Sequence, residues 1–370
     1  MKSKHHFAAF TLVEVLVASG IVVIIMGVLL GMTDQTQKLV KTTSAKVEQF
    51  QEARVGYESM TRHLAQATLN TFWDYKYNNN GVPTGYQRTA ELRFHSGLTK
   101  TLNPGGGPNG ALQPGHCVFF QAPIGRVDNT VQLGALDHLL NTWGYFVELG
   151  TDETSLPSFL DIDAYKRKRY RLMELMEPSE KLTVYKYQGD FGPGANRKWF
   201  QSSLTSAGRP VRVLAENIVA LIVLPRLSLS DEKRISTTTP PVLAPGYDYN
   251  STVIPTASSN SNTLSAMMLN SYNQLPPVVQ VIMVAIDEPS ARRLEDHYSS
   301  DPYLGIGYTP DPLSGQALFK DPSALDDTAN GTAGDLTRLQ NLLTSRKASY
   351  RVFSSNVTIK GAKWSMHTAN

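Results

Sequence analysis

Cysteine is almost absent from this chain. One residue, Cys117, stands in 370, which excludes any internal disulfide and any cysteine-rich zinc site. That scarcity fits a reducing compartment and equally an envelope protein held by its core alone. Charge is sparse as well: the formal net charge is +3, 18% of residues are charged, and Lys and Arg are spread out, so no nucleic-acid partner is expected. There is no phosphate-cradling GxxxxGK[ST], no HExxH and no GxSxG, each of which would have carried a specific chemistry. Cys117 sits inside the apolar run "CVFF", where a buried structural thiol is the better reading than a nucleophile. The eight histidines are scattered, and only His5 and His6 are adjacent. We therefore expect no enzyme, no catalytic residue and no cofactor. What the chain does have is apolar material: 41% of residues are hydrophobic, enough for a sizeable core in one large domain or two ordinary ones.

Much of that material is gathered at the N-terminus. Residues 15–32 carry no charge, and with 10–13 the apolar stretch reaches 23 residues, broken only by Glu14. As a helix it is roughly 34 Å long, against a hydrocarbon core of about 30 Å, so it can span a membrane. Lys2 and Lys4 precede it, whereas Asp34, Lys38 and Lys41 follow, so the positive-inside rule only slightly favours a cytoplasmic N-terminus. The small pair Ala8-Ala9 lies before the apolar run, whereas a secretory signal has its small-residue cleavage site after it. A carboxylate inside a bilayer costs about 2.5 to 3.5 kcal/mol on insertion scales. Glu14 therefore either snorkels to the interface or has a partner charge.

The stretch "AFTLVEVLVA", residues 9–18, resembles the type IV prepilin signature, a small residue followed by Phe-Thr-Leu-x-Glu and a long hydrophobic helix. The resemblance implies that a prepilin peptidase cuts between Ala9 and Phe10 and methylates the new amine of Phe10, with Thr11 and Leu12 completing the motif. It also implies that Glu14, the fifth mature residue, pairs with the amine of a neighbouring subunit. The family usually has Gly before the cut, where this chain has Ala9. The implied partners are the peptidase, other pilins or pseudopilins through the N-terminal helix, an inner-membrane assembly platform and membrane lipid. The implied location is the inner membrane, single-pass, with a cytoplasmic N-terminus and a periplasmic head, and then an envelope filament.

After the membrane segment, Val40, Val47, Phe50, Tyr57, Met60 and Leu64 recur at helical spacing, which predicts one helix over residues 10–70. From residue 72 turn clusters such as "NNNGVPTG" and "NPGGGPNG" separate short β-branched and aromatic runs. Strands are expected at 91–95, 117–121, 143–149, 170–176, 182–187, 218–224, 278–286 and 350–359. Two stretches rich in turn residues, 228–276 and 289–337, are expected to be loops. The fold class that follows is α+β, a pilin-like long N-terminal helix on a mostly antiparallel β-sheet head. Its domains are a leader (1–9), an assembly helix (10–32), an amphipathic continuation (33–70) and a β-rich head (71–370). The segments "LAENIVALIVLPRL", "LPPVVQVIMVAIDEP" and "YRVFSSNVTIKGAKW" resemble the closing strands of J-type minor pseudopilins of type II secretion, and more closely those of the verrucomicrobial cassette protein C family.

Two clusters remain. In "DDTANGTAGD", Asp326, Asn330 and Gly331 give a partial EF-hand spacing, but Thr328 and Thr337 stand where ligands are needed; a solvated turn is the default and no metal is assigned. In "YKRKRYR", Arg169 and Arg171 are expected to point outwards from a sheet edge. The leading function is a structural minor pseudopilin incorporated at or near the tip of a type II secretion or type IV pilus-like filament. The alternative is an envelope-anchored ligand-binding or enzymatic domain, which a deep pocket with converging polar groups would favour.

Overall fold

A computed structural model describes residues 11–365, apart from 104–105, 135, 137, 152–156, 158, 160–165, 188–196, 207, 236–241, 254–270, 309–317 and 329. The chain divides into two units, Met1–Gln49 and Phe50–Asn370. The first is helical from Leu12 onward. Helix α1, Leu12–Leu64, starts there, and its stretch Leu12–Val40, in which an 18-residue window reaches a mean hydropathy of 2.8, is long and apolar enough to cross a membrane.

The second unit opens with the last turns of α1. Ala53, Tyr57, Met60 and Leu64 are buried at steps of four, three and four residues, one face of a helix. The Tyr57 hydroxyl donates to Val281 O at 2.9 Å and lies 2.7 Å from Ser355 Oγ. Gly56 lies among these turns for a steric reason: a Cβ there would meet the Ala215 Cβ at 3.2 Å, so its absence lets the helix close onto the sheet.

All strand pairs are antiparallel. Strands β1 (Phe72–Tyr77) and β2 (Pro83–Thr89) form a hairpin whose aromatic side chains are exposed. A six-stranded sheet has the order β7-β6-β5-β4-β3-β9, from β3 (His95–Leu98), β4 (His116–Pro123), β5 (Leu140–Thr151), β6 (Lys168–Glu177), β7 (Val211–Glu216) and β9 (Tyr249–Asn250). A three-stranded sheet has the order β11-β10-β8, from β8 (Ile218–Arg226), β10 (Val278–Ile286) and β11 (Tyr350–Thr358). The chain changes sheet between β7 and β8 at a single residue, Asn217, whose φ of 58° is a conformation that Asn tolerates. Six-stranded sheet and three-stranded sheet are tied by His116: its Nδ1 accepts from Val223 N at 3.1 Å, so its Nε2 carries the proton and donates to Phe319 O at 3.1 Å. Behind the six-stranded sheet the helix Lys198–Thr205 lays Phe200 flat on Phe119, ring centroids 4.0 Å apart.

The expected strands at 117–121, 143–149, 170–176, 218–224, 278–286 and 350–359 lie within or along β4, β5, β6, β8, β10 and β11, and the α+β class with antiparallel sheets is what the chain adopts. Four expectations are corrected. Residues 91–94 are not strand, because their backbone N–H groups are taken by side chains: Asn70 Oδ1 accepts from Glu91 N and Leu92 N, Gln121 Oε1 from Arg93 N, and Ser251 Oγ from Phe94 N. Residues 182–187 form a 3-10 turn, Val184–Tyr187, after Thr183 has bonded the Glu177 carboxylate instead of continuing a ladder. Both expected loops contain helices. Leu229–Ile235 starts where Ser228 Oγ accepts from Asp231 N, and Glu288–Tyr298 starts where Asp287 accepts from Ser290 N with Pro289 in the first turn. Finally, β6 is an inner strand between β5 and β7, and its arginines are not solvated: Arg169 and Arg171 are only 6% and 8% exposed. Arg169 donates to Glu288 at 2.6 Å and to Glu295 at 3.2 Å.

Candidate functional site: the start of the N-terminal helix

Thr11 and Glu14 are the signature residues whose geometry is described together; Ala9 and Phe10 lie outside the described residues. Thr11 directly precedes the first helical residue, Leu12, and Glu14 is the third residue of the helix. Glu14 Oε2 accepts from Thr11 N at 2.9 Å and from Thr11 Oγ1 at 2.9 Å, while Glu14 N donates to Thr11 Oγ1 at 3.3 Å. This is a capping box, in which two backbone donors of the first turn are satisfied reciprocally. It also sets a carboxylate at the positive end of the helix dipole.

The pattern is legible in the sequence as Thr-x-x-Glu ahead of an apolar run, and the box is a local role for Glu14 beside the expected ones, snorkelling or a partner charge. The box does not exhaust the carboxylate. Both hydrogen bonds use Oε2, and among the described residues Oε1 accepts none. The carboxylate is thus oriented by its own chain and has one oxygen open to a donor from elsewhere. Around it Leu12, Val13, Val15 and Leu16 are all exposed.

Further along, Gly20, Gly27 and Gly31 recur seven and four residues apart, on one side of the helix, and an added Cβ at any of them would meet nothing within 4 Å. The spacing of Gly27 and Gly31 is that of membrane helices that approach closely. This signal too was present in the sequence and was passed over.

The other candidates fall elsewhere. Cys117 is enclosed in β4, with burial pushing its thiol up to about 12, which keeps it protonated and unreactive. Asp326 and Asn330 belong to a turn closed by Thr328 and Thr332, in which the neighbouring Asp327 accepts from Gly334 N at 2.8 Å. Among the described residues no three His, Cys, Asp or Glu side chains are grouped to hold a metal. A network that the sequence did not announce ties α1 to the six-stranded sheet: His63 Nδ1 lies 2.7 Å from the Tyr145 hydroxyl, which donates to buried Glu174 at 3.0 Å, and Arg212 pairs with the same carboxylate. Burial, with the cations of Arg212, Arg62 and Arg126 nearby, pushes His63 down to about 4. These bonds fasten the helix to the sheet. Comparison with protein families, with curated proteins and with solved structures finds no match.

Proposed function

We propose that the chain is a non-enzymatic minor pseudopilin, a prepilin-like subunit that is cut between Ala9 and Phe10, methylated on Phe10 and added at or near the tip of a type II secretion or type IV pilus-like envelope filament. In this reading Leu12–Val40 resides in the inner membrane before assembly, and the unit from Phe50 onward is the periplasmic head. The observation that carries it is the Glu14 carboxylate: it stands at the first turn of an exposed apolar helix, oriented by Thr11 through one oxygen and open at the other. An ammonium released by cleavage of a neighbouring subunit is a donor of the right charge for that open oxygen. In a low-dielectric bundle of helices a charge pair of this kind is strongly favoured over either charge alone. The small residues at Gly20, Gly27 and Gly31 support close approach of such a neighbour. Placement at the tip rests on the large head alone, by analogy.

The test is Glu14→Val in the full chain. The apolar replacement keeps insertion in the membrane and head folding while removing the acceptor. Cross-linking of neighbouring subunits through the N-terminal helix is expected to fall at least tenfold, and undiminished cross-linking would remove the pairing mechanism.

A further inference from the structure

The outer face of the six-stranded sheet, beyond the helix Lys198–Thr205, holds a cavity of about 530 Å³ between the loop at residues 108–112, the ends of β5 and β6, and β7. Its volume lies within the range of small-molecule sites. We infer that this cavity is a binding site for a carboxylate carried on an aliphatic body, with Arg171 as the residue that receives the carboxylate.

The inference stands on how the charges of the cavity are used. Glu148 is enclosed and fully engaged: Arg209 holds it with both guanidinium arms, at 3.0 and 3.1 Å, and Gln113 Nε2 donates to it at 3.4 Å. The backbone presses in beside it, since a Cβ on Gly107 would come within 2.6 Å of Glu148 Oε2. That pair is neutral and closed. Arg171, cross-strand from Glu148, has no such partner. Its side chain is enclosed and lines the cavity, its Nη2 donates to Thr151 O at 3.0 Å, and its Nε is buried with no hydrogen-bond partner. Among the described residues it pairs with no carboxylate, unlike Arg169 on the same strand and Arg209 just before β7. Lys168 adds a second cation at the rim, with its ammonium donating to the carbonyl of Pro302 at 2.8 Å.

A guanidinium held out of water without a counter-charge is costly, and the natural remedy is an anion. A guanidinium presents its donors in a planar fork, which matches a carboxylate bidentately. The rest of the lining is aliphatic: Leu112, Met173, Val211 and Val213 face the same space. An anion with an aliphatic body, of which the C-terminal residue of a peptide is the simplest example, satisfies both halves of the wall. A free phosphate would satisfy only the first. The inference concerns the head alone and is independent of the assembly reading of the N-terminus.

The experiment uses the full chain in detergent micelles, labelled with ¹⁵N-arginine, and follows the Arg171 Nε–H resonance. The probes are N-acetyl-valyl-leucine, the same dipeptide as its C-terminal amide, and inorganic phosphate. The acid is expected to shift the resonance saturably with a dissociation constant on the order of 1 mM or tighter, with the amide at least tenfold weaker and phosphate without saturable effect. Arg171→Met is expected to abolish acid binding while the head still folds, since it removes a buried charge at the cost of one hydrogen bond to Thr151 O. Equal binding of acid and amide, equal binding of phosphate, or no shift at tens of millimolar acid would each overturn the inference. The comparison of probes on the unmodified chain decides the matter even if the variant fails to fold.

Discussion

Apolar side chains are used in opposite ways in the two units. Between Leu12 and Val40 they face outward, Leu12 being 80% and Val23 70% exposed, whereas from Phe50 onward Phe119, Trp199 and Leu221 are fully enclosed. The same contrast holds for carboxylates. Glu174 is buried and paired within the chain by Arg212 and Tyr145, while Glu14 is exposed and leaves one oxygen open. The head encloses its own core and pairs Glu174, Glu148 and Arg169 within the chain. The N-terminal helix leaves its apolar side chains exposed and is long and apolar enough to cross a membrane, where its backbone would need no outside partner.

Matched truncations break that comparison most sharply. Phe119→Ala removes a ring stacked between two layers of the head and is expected to cost about 3 to 5 kcal/mol, read as a fall in the denaturant midpoint. Ile24→Ala, an apolar loss in the exposed helix, is expected to change that midpoint by less than about 0.5 kcal/mol. A comparable loss at both sites would mean that the helix is part of the head's core.

Acid is the next lever, read on the head through its buried histidines. Burial pushes His116 down to about 4 and contributes most to the same fall at His63. The unfolded chain therefore takes up these protons first, near the ordinary imidazole value of about 6.5, and the folded head only near 4. The contribution is fully present above about pH 6.5 and is lost as pH falls toward 4, by as much as about 3 kcal/mol for the fully enclosed His116. Glu177 and Asp335, whose carboxyls burial pushes up, act in the opposite sense at the low end. Thermal melts across that interval check the sign, and a midpoint that rises as pH falls from 6.5 would contradict the burial of neutral His116.

The smallest expected effect is at Thr11. Thr11→Ala removes the hydroxyl half of the capping box and is expected to cost about 1 kcal/mol of local helix stability. It would appear as faster amide exchange in the first turn, with the head unchanged. No change in exchange would mean that lipid, not the box, holds the helix start.

Periodicity made much of this readable in advance. The helical face through Tyr57, Met60 and Leu64 and the strand at 278–286 follow from repeats of 3.6 and from a continuous apolar run. What sequence could not carry was the capture of local hydrogen bonds by distant residues. The N–H groups of 91–94 are claimed by Asn70, Gln121 and Ser251, and Arg169 by Glu288 and Glu295, 119 and 126 residues away. Within the run that looked like a charged edge, Arg169 is enclosed by those contacts and Arg171 lies between β5 and β7. The head cavity was equally hidden, since its wall is assembled from segments as far apart as the loop at 108–112 and β7. At the N-terminus the signals were local and complete, and the capping box from Thr11 to Glu14 needed only to be read as one.

The central claim is that the apolar helix is a processed assembly element and not a plain anchor. The mass of the mature N-terminus, taken from protein purified out of the membrane of a host with a prepilin peptidase, tests it most directly. The expected result is a chain beginning at Phe10 and bearing an N-methyl group; a chain that retains Met1 and the leader through Ala9 would contradict it.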